Sequence, residues 1–547
     1  MSLPVRPTWL WSVAVSLLLA CGPKPPPPVE PQKPPPGKLG EACTAPGSLM
    51  PGSCASGLVC LTSVPGGYCT AVGACSGGTA FDTLVTPELC GKTCEADGDC
   101  RSGEGYGCDP AWKVCVAAGM SAAKAHTCSA PALTRKSFGK VTALSTAKAG
   151  ATTYDPSVAF DREGDLVTAY NVGLPMAGAS TVGIAKAAIG ANDVTMIDQD
   201  RAVAFEHENK LDPSLAQDRN GKLYMAWLGF DGGGAENHMQ IFVATSDDGV
   251  NWSKPVVASD GNTDCAGDQP HCLENPTLAI GADKNNLKAD TLYVFYHSAV
   301  SNGLRATRST DGGATFSPSV AVGAGVVADV EVTSSGKVHV VYVGGGTGSK
   351  LGDAGNGVYY TNSGDGGTTF AAPVRISSEN EPVPVYFSSP QVIVDLNKRL
   401  LYAVYPQGSA DGKWEIVLGT SKDGGVTWTR ASVNDDSPCA THMLPSAALD
   451  PATSKLHIVW VENRSGQGQV AYAVCNTGGE KCGKNEAVSD APFAAFSLGR
   501  NSTRSLGDSA DIVIDAKHKL LHAVWTQTVD EGGQLVGRVF TAAAKLK

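Results

Sequence analysis

The chain has 547 residues, a formal charge of −11 at neutral pH, 64 glycines, 33 prolines and only 17% charged residues. That balance argues against a nucleic-acid-binding face and leaves no basic patch for anionic lipid. The glycine content and many short alternating apolar segments point instead to an all-β protein dense in turns.

Residues 1–21 read as a secretion signal, with Arg6 ahead of an apolar run from Trp9 to Ala20 that is too short to span a bilayer. The run ends Leu18-Leu19-Ala20-Cys21, which resembles the lipobox of bacterial lipoproteins. The resemblance implies that Cys21 becomes the acylated N-terminus, anchoring an exported protein to a bacterial membrane (outer membrane or cell surface). Ordinary signal-peptide cleavage nearby is the alternative. Residues 22–42 form a tether whose core is PKPPPPVEPQKPPP, extended at about 3 Å per residue.

Residues 43–128 hold eleven of the 17 cysteines, from Cys43 to Cys128, with almost no hydrophobic periodicity between them. Such a segment buries too little apolar surface alone and is expected to be a disulfide module of an oxidising compartment. Cys90, Cys94 and Cys100 have zinc-like density, but no histidine appears before His126.

From residue 137 to 547 two repeats run side by side. One is Ser/Thr-x-Asp-x-Gly-x-x-aromatic, read at Asp247 and Trp252, Asp311 and Phe316, Asp365 and Phe370, and Asp423 and Trp428. These aspartates lie 64, 54 and 58 residues apart. Asp can accept turn N–H bonds, Gly supplies a positive φ, and the aromatic starts the next strand. The second repeat is a Pro with an Asp five residues later, as in Pro156 to Asp161, Pro213 to Asp218, Pro390 to Asp395 and Pro445 to Asp450. Looser copies start at Pro276, near Ala328 and at Ala510. Each copy precedes a strand rich in β-branched or aromatic residues. The first repeat resembles the Asp-boxes, or BNR repeats, of sialidase-like β-propellers, where the box joins the third and fourth strands of a blade away from the ligand.

The expected fold is therefore a β-propeller of four-stranded blades. The repeats give seven; six is the alternative, as in sialidases. The last unit runs out at Lys547 before a fourth strand, and Phe138 to Leu144 resembles the missing one. It is expected to pair with Val539 to Ala543 and close the ring. Cys475 and Cys482 replace the first and last residues of a box and are expected to form a disulfide. Cys265 and Cys272 are expected to form a second local pair. Parity then leaves Cys439 for a module cysteine, with Cys128 the nearest; a free Cys439 and one free module thiol is the alternative.

Ligands of such propellers bind where the innermost strands begin. The candidates there are Tyr154, Asp155, Asp212, Glu274, Asn275, His442 and Asp508, joined by Asp260, Asp264 and Asp268 of a long insertion. Converging acids would raise one another's pKa or bind Ca²⁺, although Asp before Pro also simply caps a turn. No cofactor is required. The arginine triad and Arg-Ile-Pro motif of sialidases have no counterpart: Arg305 and Arg308 belong to a third strand, and the corresponding stretch reads Thr153-Tyr154-Asp155-Pro156. Two functions stay open. One is an anchored module binding a glycan or protein; the other is a divergent glycoside hydrolase. Acids and apolar groups at the axis would favour the first, converging arginines the second.

Overall fold

The computed structural model describes residues 37–44, 53–61, 66–71, 75, 77–81, 89–104, 106–108, 113–117, 130–146, 151–173, 180–191, 193–202, 209–231, 237–260, 272–301, 303–344, 357–379, 383, 388–408, 414–436, 440–465, 467–493, 506–507, 509–532 and 534–546. Seven four-stranded antiparallel sheets form the blades of a propeller. Their inner strands, blades 1 to 7 in order, are Thr153–Phe160, Asn209–Gln217, Leu273–Ala282, Gly325–Val332, Gln391–Asp395, His442–Leu449 and Asp511–Asp515. Each packs beside the next, and the last beside the first.

The second strand of each blade is buried on both faces because it lies between neighbouring blades. Hence it reads as an apolar run, such as Leu223–Asp231 or Leu456–Glu462, rather than alternating. Trp227, Trp460 and Trp525 sit fully buried on three of these strands.

The ring closes as the ends of the repeat imply. Thr142 and Ala143 pair with Thr541 and Phe540, and Phe138 bridges Ala544. The Gly139 N–H donates to the Ala543 carbonyl and the Leu144 N–H to that of Val539. The fourth strand of the last blade thus comes from the start of the propeller and covers part of the edge of Gln534–Lys545.

In blades 3, 4 and 5 the turn between third and fourth strands has one construction. The Ser309, Ser363 and Ser421 hydroxyls donate to Asp311, Asp365 and Asp423 and accept from the N–H of Gly313, Gly367 and Gly425. The carboxylates accept the N–H of Thr315, Thr369 and Thr427. Gly425 is required twice over: its φ is 96°, and a Cβ there would lie 2.1 Å from Tyr360 of the preceding blade.

Blade 2 corrects the sequence reading. Its turn runs one residue shorter, and Asp248, not Asp247, accepts the N–H bonds of Val250 and Asn251. Asp247 is 71% exposed and only faces Arg162 at 3.5 Å. Burial pushes the Asp248 carboxyl up, but the N–H bonds outweigh it and hold it well below the usual range. Asp248→Ala should therefore lower stability by about 1–2 kcal/mol and Asp247→Ala by less than about 0.5. Equal losses in thermal melts would return the role to Asp247.

In blade 6 the Cys475–Cys482 disulfide closes the equivalent turn, and Asn476 accepts the Lys481 N–H as the aspartates do elsewhere. The Asp of the second repeat caps the inner turn. Asp161 accepts the N–H of Glu163 and Asp165, Asp218 those of Asn220 and Lys222, and Asp515 that of His518.

Ten module cysteines pair as Cys43–Cys60, Cys54–Cys69, Cys75–Cys90, Cys94–Cys108 and Cys100–Cys115, which removes the zinc alternative. Two units thus share a first-to-third, second-to-fourth pattern. They interlock through stacked Tyr68 and Tyr106, 5.7 Å apart. Cys272 is disulfide-bonded; Cys128, Cys265 and Cys439 lie outside the described residues. Past the module the chain docks on blade 6, where Leu133 and the Gln469 side chain exchange two hydrogen bonds of 2.8 and 3.1 Å.

Candidate functional site

The inner strands begin around a cavity of about 300 Å³ on the propeller axis. In five blades the start of the inner strand carries a backbone irregularity written into the sequence. Asp155, Asp212, Asn275, Ser388 and Leu444 all hold φ between 52° and 67°, directly before a Pro in all but Ser388. Asp and Asn tolerate this left-handed state better than other side chains. In four of the blades the break shows as a shift in pairing register.

The next residues turn to the axis. Ser157, Ser214, Thr277, Asp329, Gln391 and Asp511 occupy one repeat position in six blades and line the cavity together. Ser446 holds the same position in blade 6. Many of these side chains also stitch blade to blade. Ser157 Oγ accepts the Leu215 N–H and Ser214 Oγ that of Leu278, both at 3.0 Å. Thr277 Oγ1 donates to the Ala328 carbonyl at 2.9 Å. Asp329 accepts the Val392 N–H at 2.8 Å, Glu331 that of Val394 at 2.7 Å, and Asp511 that of Val158 at 2.9 Å.

Among the described lining residues there is no Lys, Arg or His. The acids are therefore without a basic neighbour on the lining, and burial dominates their titration. It lifts Asp329 to about 6, against the pull of the Val392 and Val330 N–H groups. It lifts Asp511 to about 7, helped by the negative charge of Asp329, and Glu331 to about 8.

The expected candidates divide. Asp155, Asp212 and Asn275 do line the cavity, with Asp155 accepting the Asn171 amide at 3.0 Å and the Asp212 N–H donating to Asn171 Oδ1. Tyr154 is fully buried and is not on the lining, and half-buried Glu274 pairs across the sheet with His297. Asp260 offers its N–H to the Tyr296 hydroxyl. Asp264, Asp268 and Asp508 lie outside the described residues.

His442 is a correction. It is fully buried away from the cavity, bound to the Trp414 carbonyl at 2.8 Å and facing Asp436 and Glu462. It belongs to an ion cluster completed by Arg464, which a sequence pattern does not reveal. The residues missed were Asp329, Glu331 and Asp511. A signal existed: Asp follows the axis-facing start of the strand in the two units where Ala replaces Pro, Ala328 and Ala510. Arg305 and Arg308 lie on the third strand of blade 3, Gly303–Ser309, as the sequence implies, and bond Ser319 ahead of the fourth strand and Thr368 in the turn of blade 4.

No protein-family model matches the sequence, and no curated protein matches it. Among solved structures, the chain is similar to a protein of unknown function from Dyadobacter fermentans at 13% identity, covering 76% of this chain and 100% of that one, with a TM-score of 0.43. A Hadza microbial sialidase is 14% identical over 70% of this chain and 73% of its own, with a TM-score of 0.41. An α-L-arabinofuranosidase from Fusarium graminearum is 13% identical over 62% and 94%, also at 0.41. The seven-bladed propeller itself rests on the strand order of this chain.

Proposed function

We propose that the propeller is a binding module that takes an uncharged, hydroxyl-rich ligand, a glycan end or branch, at the axial cavity. The observation that carries this reading is the lining: hydroxyls of Ser157, Ser214 and Thr277, the Gln391 amide, carboxyls and prolines, with no described arginine to hold an anionic sugar. In the same proposal the chain is exported and held to a bacterial membrane by lipid on Cys21. The proline-rich tether supports this by giving a folded body reach from a surface.

An array of neutral oligosaccharides, followed by calorimetry on the tightest, tests the reading. Ser389→Trp, which would fill the cavity from blade 5, should lower affinity at least tenfold while the circular dichroism stays unchanged. Equal binding by both proteins, or no binder at all, would sink it. Binding needs no resident cofactor in this reading, so dialysis against EDTA should leave affinity unaltered. A Ca²⁺ requirement would make the axial carboxylates metal ligands instead.

A second reading, a divergent glycoside hydrolase, draws on one observation. Asp329 and Asp511 bring two carboxyls from different blades to one cavity, and such hydrolysis uses a carboxyl pair. Both carboxyls, however, are engaged with backbone N–H groups of neighbouring blades. Release of reducing sugar that disappears in Asp511→Asn would favour this reading.

A further inference from the structure

We propose that ligand binding in the axial cavity is linked to proton uptake by Asp329 and Asp511, which act as a neutral acid pair when the cavity is filled. The inference rests on the binding reading above and adds a control to it.

The two carboxyls occupy the same repeat position on blades 4 and 7 and line one cavity. In the other blades this position is Ser, Thr or Gln, so the two acids are departures from an uncharged ring. Each is tied into the frame by the next blade: Val392 for Asp329, Val158 for Asp511, with the Ser446 hydroxyl 3.4 Å from Asp511. Neither can swing away to solvent without losing these bonds.

The titratable groups on the surrounding inner strands are mostly acidic as well. Asp155 and Asp212 are on the lining, Glu331 stands two residues along from Asp329, and Glu274 and Asp395 belong to the strands of blades 3 and 5. Two basic side chains on these strands lie off the lining: Lys210 of blade 2, which is buried, and His442 of blade 6, which faces Asp436 and Glu462. No described basic group on the lining therefore stands ready to neutralise the pair.

A ligand that enters must displace cavity water from these carboxyls. Stripping water from an ionised carboxylate with no counter-charge is far more costly than stripping it from the neutral acid. Filling the cavity with an uncharged ligand thus shifts each acid toward its protonated form. By linkage, affinity falls as the pH rises past the pKa of the empty site. With Asp329 near 6 and Asp511 near 7 before binding, that fall begins around pH 6 and steepens above 7. One linked proton changes Kd by about tenfold per pH unit.

Two measurements test this, and they fail separately from the binding reading. The first needs no ligand: carbon-detected NMR of the side-chain carboxyls through a pH titration of the full chain. Beside raised glutamates, Glu331 among them, wild type should show two aspartate carboxyls titrating well above the ordinary range, one missing in Asp329→Ser and the other in Asp511→Ser. Serine is chosen because blades 1, 2 and 6 carry it at this position, so an acceptor for the backbone N–H persists. Carboxyls that all titrate as ordinary aspartates would overturn the inference and leave glycan binding untouched. The second is calorimetry with the tightest neutral oligosaccharide near neutral pH, in phosphate and in Tris. A heat difference reporting proton uptake by wild type, reduced in Asp511→Ser and lost when Asp329→Ser is added to it, supports the linkage; identical heats in the two buffers overturn it. An array without any binder removes the binding reading and the linkage with it, while the NMR titration still reports the charge state of the pair.

Discussion

Phe138→Ala is expected to destabilise the propeller by about 3–5 kcal/mol, as large a loss as a phenylalanine deep in a core gives. Phe138 precedes the two-residue strand Thr142–Ala143 and is only 8% exposed. Its ring meets Tyr472 of blade 6 edge-on at 5.0 Å and shares one core with Met443, Leu521 and Ala544. It therefore holds the closing segment to blades 6 and 7 at once. Truncating it leaves a cavity and loosens the only described contact in which the two ends of the propeller sequence share a sheet. Exposed Lys140 is a control on the same segment, and its alanine variant should change stability by less than about 0.5 kcal/mol. Chemical denaturation of both variants checks this. A loss near 1 kcal/mol for Phe138→Ala would mean the ring does not depend on its closure.

That segment was legible from the sequence because a repeat with a missing part has to find the part elsewhere. Blade count was legible for the same reason, even in blade 4, where the repeat is weakest. There the pattern departs at two marks. Ala328 stands in place of the proline, and Thr333 in place of the turn aspartate, though Thr333 still accepts the Lys337 N–H. The box of blade 2 was misread because two adjacent aspartates offer two registers, and only the hydrogen bonds choose Asp248.

The site was less legible, and the cause is physical. Asp155 and Asp212 stand out in sequence because they precede a proline, but that place selects Asp for its tolerance of positive φ. The axis-facing position comes two residues later, where most blades carry an unremarkable Ser or Thr. Asp329 and Asp511 become significant only when seven strands are set in a ring and the absence of a basic group on the described lining can be seen. Spacing along the chain carries neither fact.

The strongest effect outside the closure should come from Glu462→Ala, about 3–5 kcal/mol, because it strands buried charge. Glu462 is fully buried and accepts Arg464 through both oxygens, one contact being 2.7 Å, and the Trp460 indole N–H at 3.2 Å. Arg464 reaches on to Asp435 at 3.1 Å, and the side chains of Asp435 and Asn485 each accept the other's backbone N–H. The cluster thus braces the chain between blades 5 and 6 just before it enters the inner strand His442–Leu449. Burial works against a charge on His442, yet Asp436 at 3.2 Å and Glu462 at 3.6 Å outweigh it and raise its pKa. A raised pKa in the folded state means this contribution is complete below the unfolded value of about 6.5 and fades as pH climbs through the folded one. The stability difference between wild type and His442→Gln should therefore shrink from mildly acidic to alkaline pH, a comparison in which the axial acids cancel. The cost of Glu462→Ala should shrink over the same window without vanishing, since Arg464 stays charged throughout and loses its closest, fully buried partner. A pH-independent cost for both variants would mean that His442 is neutral in the fold and that Arg464 alone anchors the cluster.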